Sequence, residues 1–141
     1  MGHDAMKPPG SARPRRVLVV DDEDTTLQVI QATLEDLGYE VTTRNRAFGT
    51  SAVIVDERPD IVLIDVEMPG LSGDGIVRLI RETPSLSFIT FILHSGTRAA
   101  DLARLTRETG AAGAIVKTSN LREFSEQFQR LVHEHVGRAE K

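Results

Sequence analysis

Ile61-Val62-Leu63-Ile64-Asp65, followed by Val66-Glu67-Met68-Pro69-Gly70-Leu71-Ser72-Gly73, decides the fold. Four apolar residues run without a break, end on one carboxylate and give way to a turn rich in Gly and Pro. A short apolar run bounded by turn signals predicts a strand buried on both faces. Asp65 stands at its carboxyl end, and in an open parallel α/β sheet ligands bind in the crevice beyond that end. Asp is also a common turn former. The stretch alone leaves both readings of Asp65 open.

Working outward, the same strand-then-helix unit recurs. Upstream, Val17-Leu18-Val19-Val20 is a first buried strand running into Asp21-Asp22-Glu23-Asp24. Leu27, Ile30, Leu34 and Leu37 then recur at helical spacing, and Gly38 ends that helix. Tyr39 to Thr43 alternates and carries β-branched residues, which predicts a second, more exposed strand. A second helix is expected over 47–57, with Phe48, Ala52 and Val55 inward and Pro59 closing it. Downstream, Gly73-Asp74 opens a third helix with Ile76, Leu79 and Ile80 buried. Phe88 to Leu93 is a fourth strand stopping at His94-Ser95-Gly96. A fourth helix over 97–109 turns Leu102 and Leu105 inward and is capped by Gly110. Ala114-Ile115-Val116 is a fifth strand ending on Lys117. Asn120 with Glu123 gives a capping-box-like start to a fifth helix, with Leu121, Phe124, Phe128, Leu131 and Val132 inward.

Five alternating strands and helices imply an α/β fold with a parallel sheet, right-handed crossovers and helices on both faces. A closed barrel of this kind needs eight repeats. Five suit a flavodoxin-like, doubly wound (βα)5 sheet of strand order 2-1-3-4-5, in a single domain. The chain has 141 residues, 40% of them hydrophobic, enough for one real core. Its formal net charge of −4 gives nucleic acid no support as a partner. No apolar run reaches the ~20 residues that span a bilayer, and there is no cysteine for disulfide or thiol chemistry. A cytoplasmic location suits this composition. Residues 1–14, with three prolines, Gly10 and Ser11, read as a disordered tail, and 137–141 as a short C-terminal tail.

In the order 2-1-3-4-5, strands 1, 3, 4 and 5 are contiguous. Asp21 and Asp22, Asp65, Ser95 and Lys117 then converge on one sheet edge. Each has an ordinary explanation alone: helix-start acidity, a turn, an N-cap, a solvated lysine. Four such coincidences on four neighbouring strands favour one shared site. Three carboxylates together repel unless a hard cation joins them, and Mg²⁺ takes carboxylates along with phosphate oxygens and water. A lysine and a hydroxyl opposite the cation suit phosphoryl oxygens. Phosphoryl transfer needs positioning and charge neutralisation above all. The one nucleophile required is a carboxylate, and Asp65 is central.

These pieces, VLVVDDE, IVLIDVEMPGLSGDG, FILHSG and GAIVKTS in that order, resemble the response-regulator receiver domains of two-component signalling over residues 15–136. The resemblance implies that a histidine kinase or histidine phosphotransfer protein donates a phosphoryl group to Asp65. It implies Mg²⁺ held directly by Asp22, Asp65 and the Glu67 backbone carbonyl, with Asp21 acting through a metal-bound water. Ser95 would hydrogen-bond the acyl phosphate and Lys117 would pair with it. The face formed by the fourth helix, fifth strand and fifth helix would report the state to a downstream protein. No enzyme activity is expected beyond self-catalysed phosphoryl transfer to, and hydrolysis from, Asp65.

Three positions depart from the family pattern. Ala114 stands where an aromatic switch residue is usual. Thr118 replaces the usual proline after the lysine, and a trans Lys117–Thr118 bond is expected because a cis bond without proline costs about 2.5–4 kcal/mol. Glu67 adds a carboxylate beside the site and, with Thr97, is expected to tune access of water to the acyl phosphate. The main alternative is a receiver-fold scaffold that docks partners whether or not it is phosphorylated. A phosphatase of the haloacid dehalogenase type ranks lower, because that chemistry needs a second aspartate where Glu67 stands. His133 and His135 do not share a helical face, and His94 is expected to pack at the strand end.

Overall fold

The apolar runs lie side by side. A computed structural model describes residues 15–46, 48–68, 75, 82, 86, 88–96 and 98–139. In chain order these form β1 (Arg16–Val20), α1 (Asp24–Asp36), β2 (Glu40–Arg44), α2 (Thr50–Glu57), β3 (Ile61–Asp65), β4 (Thr90–Ser95), α3 (Ala99–Thr109), β5 (Gly113–Val116) and α4 (Leu121–Ala139). The expected third helix, with Ile76, Leu79 and Ile80, lies outside the described residues, as do Thr97 and residues 1–14. The fourth and fifth helices read from the sequence are therefore α3 and α4.

The sheet is parallel throughout, in the order β2-β1-β3-β4-β5. Asp65 is in register with His94, and Ser95 with Val116. All five residues of β3 are buried, as a central parallel strand requires. Side chains alternate between two cores. Val17, Val19, Ile61, Leu63, Ile92 and Ile115 pack under α1 and α4 with Leu27, Ile30, Leu34, Phe124, Phe128 and Val132. Leu18, Val20, Val62, Ile64, Phe91 and Leu93 face the other way, against Ile54 of α2 and Leu105 of α3. Sandwiching the sheet in this way fixes every strand end relative to the next.

Helix ends follow local chemistry. Gly38 (φ 100°) and Gly110 (φ 76°) take the left-handed conformation after α1 and α3, which a Cβ would oppose. Asn120 accepts the Glu123 N–H at 3.0 Å, so it caps α4 as the sequence indicates. Inward faces are corrected in three helices. In α2 the expected inward residues point out: Phe48 is 88% and Val55 53% exposed, and Ala52 is exposed too. Thr50 and Ile54 are buried instead. The Arg44 side chain bonds the Phe48 carbonyl and donates to Thr50 Oγ1 at 3.1 Å, which starts the helix at Thr50 and resets its phase. Leu37 and Leu121, at helix ends, are also partly exposed rather than inward.

Candidate functional site

Beyond the carboxyl ends of β1, β3, β4 and β5, the predicted residues meet. Lys117 Nζ, just past β5, lies 3.0 Å from Asp65 Oδ2 and 2.9 Å from Asp21 Oδ2. Asp21 and Asp65 are buried, whereas Asp22 is exposed. One carboxylate oxygen from each of Asp21, Asp22 and Asp65 lies within 4.8 Å of the others. The two buried aspartates are held alike. Asp21 Oδ1 accepts the Glu23 N–H at 2.9 Å, and Asp65 Oδ1 accepts the Glu67 N–H at 2.8 Å. Each carboxylate uses one oxygen to close the turn after its strand and turns the other toward Lys117. Turn former and site residue are thus one role for Asp65.

Ser95 ends β4 fully buried, and its hydroxyl donates to the Glu67 carboxylate. Lys117 N–H donates to the Ser95 carbonyl at 2.8 Å, which locks the β5 end to the β4 end. Past Lys117, Thr118 Oγ1 accepts the Asn120 N–H at 3.0 Å, so a hydroxyl turn replaces the family's proline. No described peptide bond is cis. Ala114, in register with Leu93, is half-buried against the α2-side core.

The electrostatics follow from burial and pairing. Burial raises the Asp65 pKa above the ordinary carboxylate value; the Glu67 N–H and Lys117 oppose this, and the Asp21 charge adds to it. Burial alone would lower Lys117, but the Asp21 and Asp65 carboxylates outweigh it and the net shift is upward. Lys117 therefore stays cationic at neutral pH. His94 is buried, its ring centroid 5.5 Å from that of Phe124. Burial, then Lys117, lowers its pKa to about 4, against a smaller upward pull from Asp21. His94 is therefore neutral at pH 7 and packs against Phe124 at the strand end.

One ammonium faces three clustered carboxylates, so the cluster carries excess negative charge. Among the described residues, the Lys117 ammonium at 2.9 Å is what faces the buried Asp21 Oδ2. An all-oxygen, negatively charged set of this kind fits a hard divalent cation such as Mg²⁺. Asp21, Asp22, Asp65, Ser95 and Lys117 are thus brought together, and Glu67 reaches Ser95 from beside them. Glu23, which reading the sequence missed, stands 3.9 Å from Lys117. Its place four residues before the helical Leu27 gave no signal beyond helix-start acidity.

The profile of the response regulator receiver domain matches residues 17–129. The chain belongs to this family. This receiver is 32% identical over 110 residues to the phosphate regulon transcriptional regulatory protein PhoB of Pseudomonas aeruginosa, covering 78% of the chain and 48% of PhoB. It is 40% identical over 74 residues to the sensor protein GacS of Pseudomonas syringae, covering 52% of the chain but 8% of GacS. The receiver thus spans half or less of the length of either relative. Among solved structures, the chemotaxis response regulator CheY4 of Vibrio cholerae superposes with a TM-score of 0.76 at 28% identity, over 84% of this chain and 98% of CheY4. TrrA of Thermotoga maritima, solved in complex with Mg²⁺-BeF, superposes with a TM-score of 0.72 at 28% identity, over 83% of this chain and 98% of TrrA. Relatives among both sensor kinases and response regulators place the receiver in two-component signalling. No helix among the described residues is long and apolar enough to cross a membrane.

Proposed function

We propose that this receiver is a phosphorylation-controlled signalling switch in which Asp65 accepts a phosphoryl group from a histidine kinase or histidine phosphotransfer protein. The observation that carries the reading is Lys117 bridging the buried carboxylates of Asp21 and Asp65 inside a three-aspartate cluster. A carboxylate oxygen of Asp65 attacks the phosphorus of a phosphohistidine. The P–N bond breaks, and the imidazole leaves with the electron pair and takes up a proton from water. An acyl phosphate is left on Asp65, and later attack of water at phosphorus releases inorganic phosphate and restores the carboxylate. Asp22, Asp65 and the Glu67 carbonyl would hold a Mg²⁺ ion, with Asp21 acting through water, and the ion would supply charge neutralisation for the phosphoryl oxygens. Lys117 pairs with a phosphoryl oxygen, and the Ser95 hydroxyl donates to another. The Mg²⁺-BeF complex of TrrA supports this assignment by analogy.

The reaction is confined to the protein's own aspartate, so the chain acts as a switch and not as an enzyme on other substrates. Its readout is the α3–β5–α4 face, where a downstream protein docks. Asp65 acylation shifts a pre-existing equilibrium by the difference in phosphoryl contacts between two states. A second reading, a scaffold indifferent to phosphorylation, draws on Ala114, whose methyl cannot perform the swing of an aromatic ring. Incubation with a small acyl phosphate and Mg²⁺, followed by intact-mass spectrometry, decides between them. The switch reading expects one hydroxylamine-labile phosphoryl group on the wild type and none on Asp65→Asn. A wild type that gains no phosphoryl group overturns it.

A further inference from the structure

Outside the carboxylate–lysine cluster, the Ser95 hydroxyl meets a partner that the phosphoryl chemistry does not use. Ser95 is fully buried, and its hydroxyl donates to the side chain of Glu67. A serine hydroxyl has one proton to donate. It can serve the Glu67 carboxylate or a phosphoryl oxygen on Asp65, not both. The Glu67 main chain is pinned beside the acceptor, because its N–H donates to Asp65 Oδ1 at 2.8 Å. Its residue is exposed, so its carboxylate has water to turn to when it lets go of Ser95. Ser95 is fully buried and does not have that recourse to solvent. Glu67 also repels a phosphoryl dianion arriving two residues away.

We infer that Glu67 is a latch on Ser95: it holds the hydroxyl in the unphosphorylated protein and hands it to the phosphoryl group, so that this exchange sets the switching equilibrium. The inference rests on the phosphoryl-acceptor reading and gives it a two-state element near the site. It also suits a chain with Ala114 at the aromatic position, since the exchange needs no ring to move. The Glu67-bound state withholds Ser95 from incoming phosphate, and apparent phosphoryl affinity falls by the fraction so engaged. Glu67 is therefore a positioning residue that acts through Ser95.

The test is a double-mutant cycle on the affinity for beryllofluoride with Mg²⁺, using wild type, Glu67→Ala, Ser95→Ala and the double variant. Glu67→Ala should bind about 5-fold more tightly than wild type, the scale of one charge-assisted hydrogen bond exchanged with water. In the Ser95→Ala background the same change should gain less than half as much, because only charge repulsion is left to relieve. Glu67→Gln, which keeps an acceptor oxygen and loses the charge, should fall between wild type and Glu67→Ala. Without Mg²⁺ or beryllofluoride, Glu67→Ala should shift the Ser95 and Gly96 amide resonances. An equal gain in both backgrounds overturns the latch and leaves a simple charge effect, with the acceptor reading intact. No gain, or no shift in the unliganded protein, also overturns the latch. Failure of the wild type and every variant to bind overturns the acceptor reading and the latch with it.

Discussion

At the residue scale, Asp21 and Asp65 show how one side chain closes a turn and builds a site. One oxygen of each receives the N–H two residues on, and the other faces Lys117. Lys117→Met removes the ammonium that bridges two buried carboxylates. Without Mg²⁺, stability should fall by roughly 1–3 kcal/mol, less than for a fully buried pair because Lys117 is partly exposed. Urea unfolding measures this, and added Mg²⁺ should restore part of the loss. His94 makes a prediction in pH. Its folded pKa of about 4 lies below its ordinary 6.5. Between those values the unfolded chain binds the extra proton, so stability is full above pH 6.5 and falls as pH drops toward 4, by about 3 kcal/mol. Asp65 has a raised pKa and works in the opposite sense, gaining stability as it protonates. His94→Leu should flatten the fall between pH 6.5 and 4.5 in urea titrations; an unchanged slope would show that His94 is protonated in the folded protein. The convergence of Asp21, Asp65 and Lys117 was legible because each ends a recognisable strand. The Glu67–Ser95 bond was not, since it depends on how a long side chain crosses between two strand ends.

At the scale of elements, strands were easier to read than helix faces. A buried parallel strand is a continuous apolar run, so its phase does not matter, and β1, β3 and β4 each appear within two residues of their expected bounds. A helix face depends on where the helix starts. In α2 that start is set by Arg44, reaching from β2 to Thr50 and Phe48, a contact between separate elements that no local pattern carries. The corrected phase is testable. Ile54→Ala should cost about 2–4 kcal/mol, as for a fully buried aliphatic truncation. Val55→Ala, on the outer face, should stay within about 0.5 kcal/mol. Comparable losses at both positions in urea unfolding would return Val55 to the core. The cap on α4 gives a smaller effect: Asn120→Ala should lower stability by about 1 kcal/mol, with the amides of Leu121 to Glu123 losing hydrogen-exchange protection first.

At the scale of the whole molecule, topology does what no single motif does. The order β2-β1-β3-β4-β5 sets four strand ends side by side, and the two cores on either side of the sheet hold them in register. This much followed from counting strand–helix repeats, because right-handed crossovers leave few ways to arrange five of them. The central claim is that the assembled carboxylates and Lys117 receive a phosphoryl group on Asp65 and pass its arrival on to α3, β5 and α4. Amide NMR of wild type and Asp65→Asn, titrated with beryllofluoride with and without Mg²⁺, tests it most directly. The account predicts shifts that need both Mg²⁺ and Asp65, beginning at Ser95 and extending through Ala114 into α4. Shifts that persist in Asp65→Asn, or a wild type that does not respond at all, would contradict it.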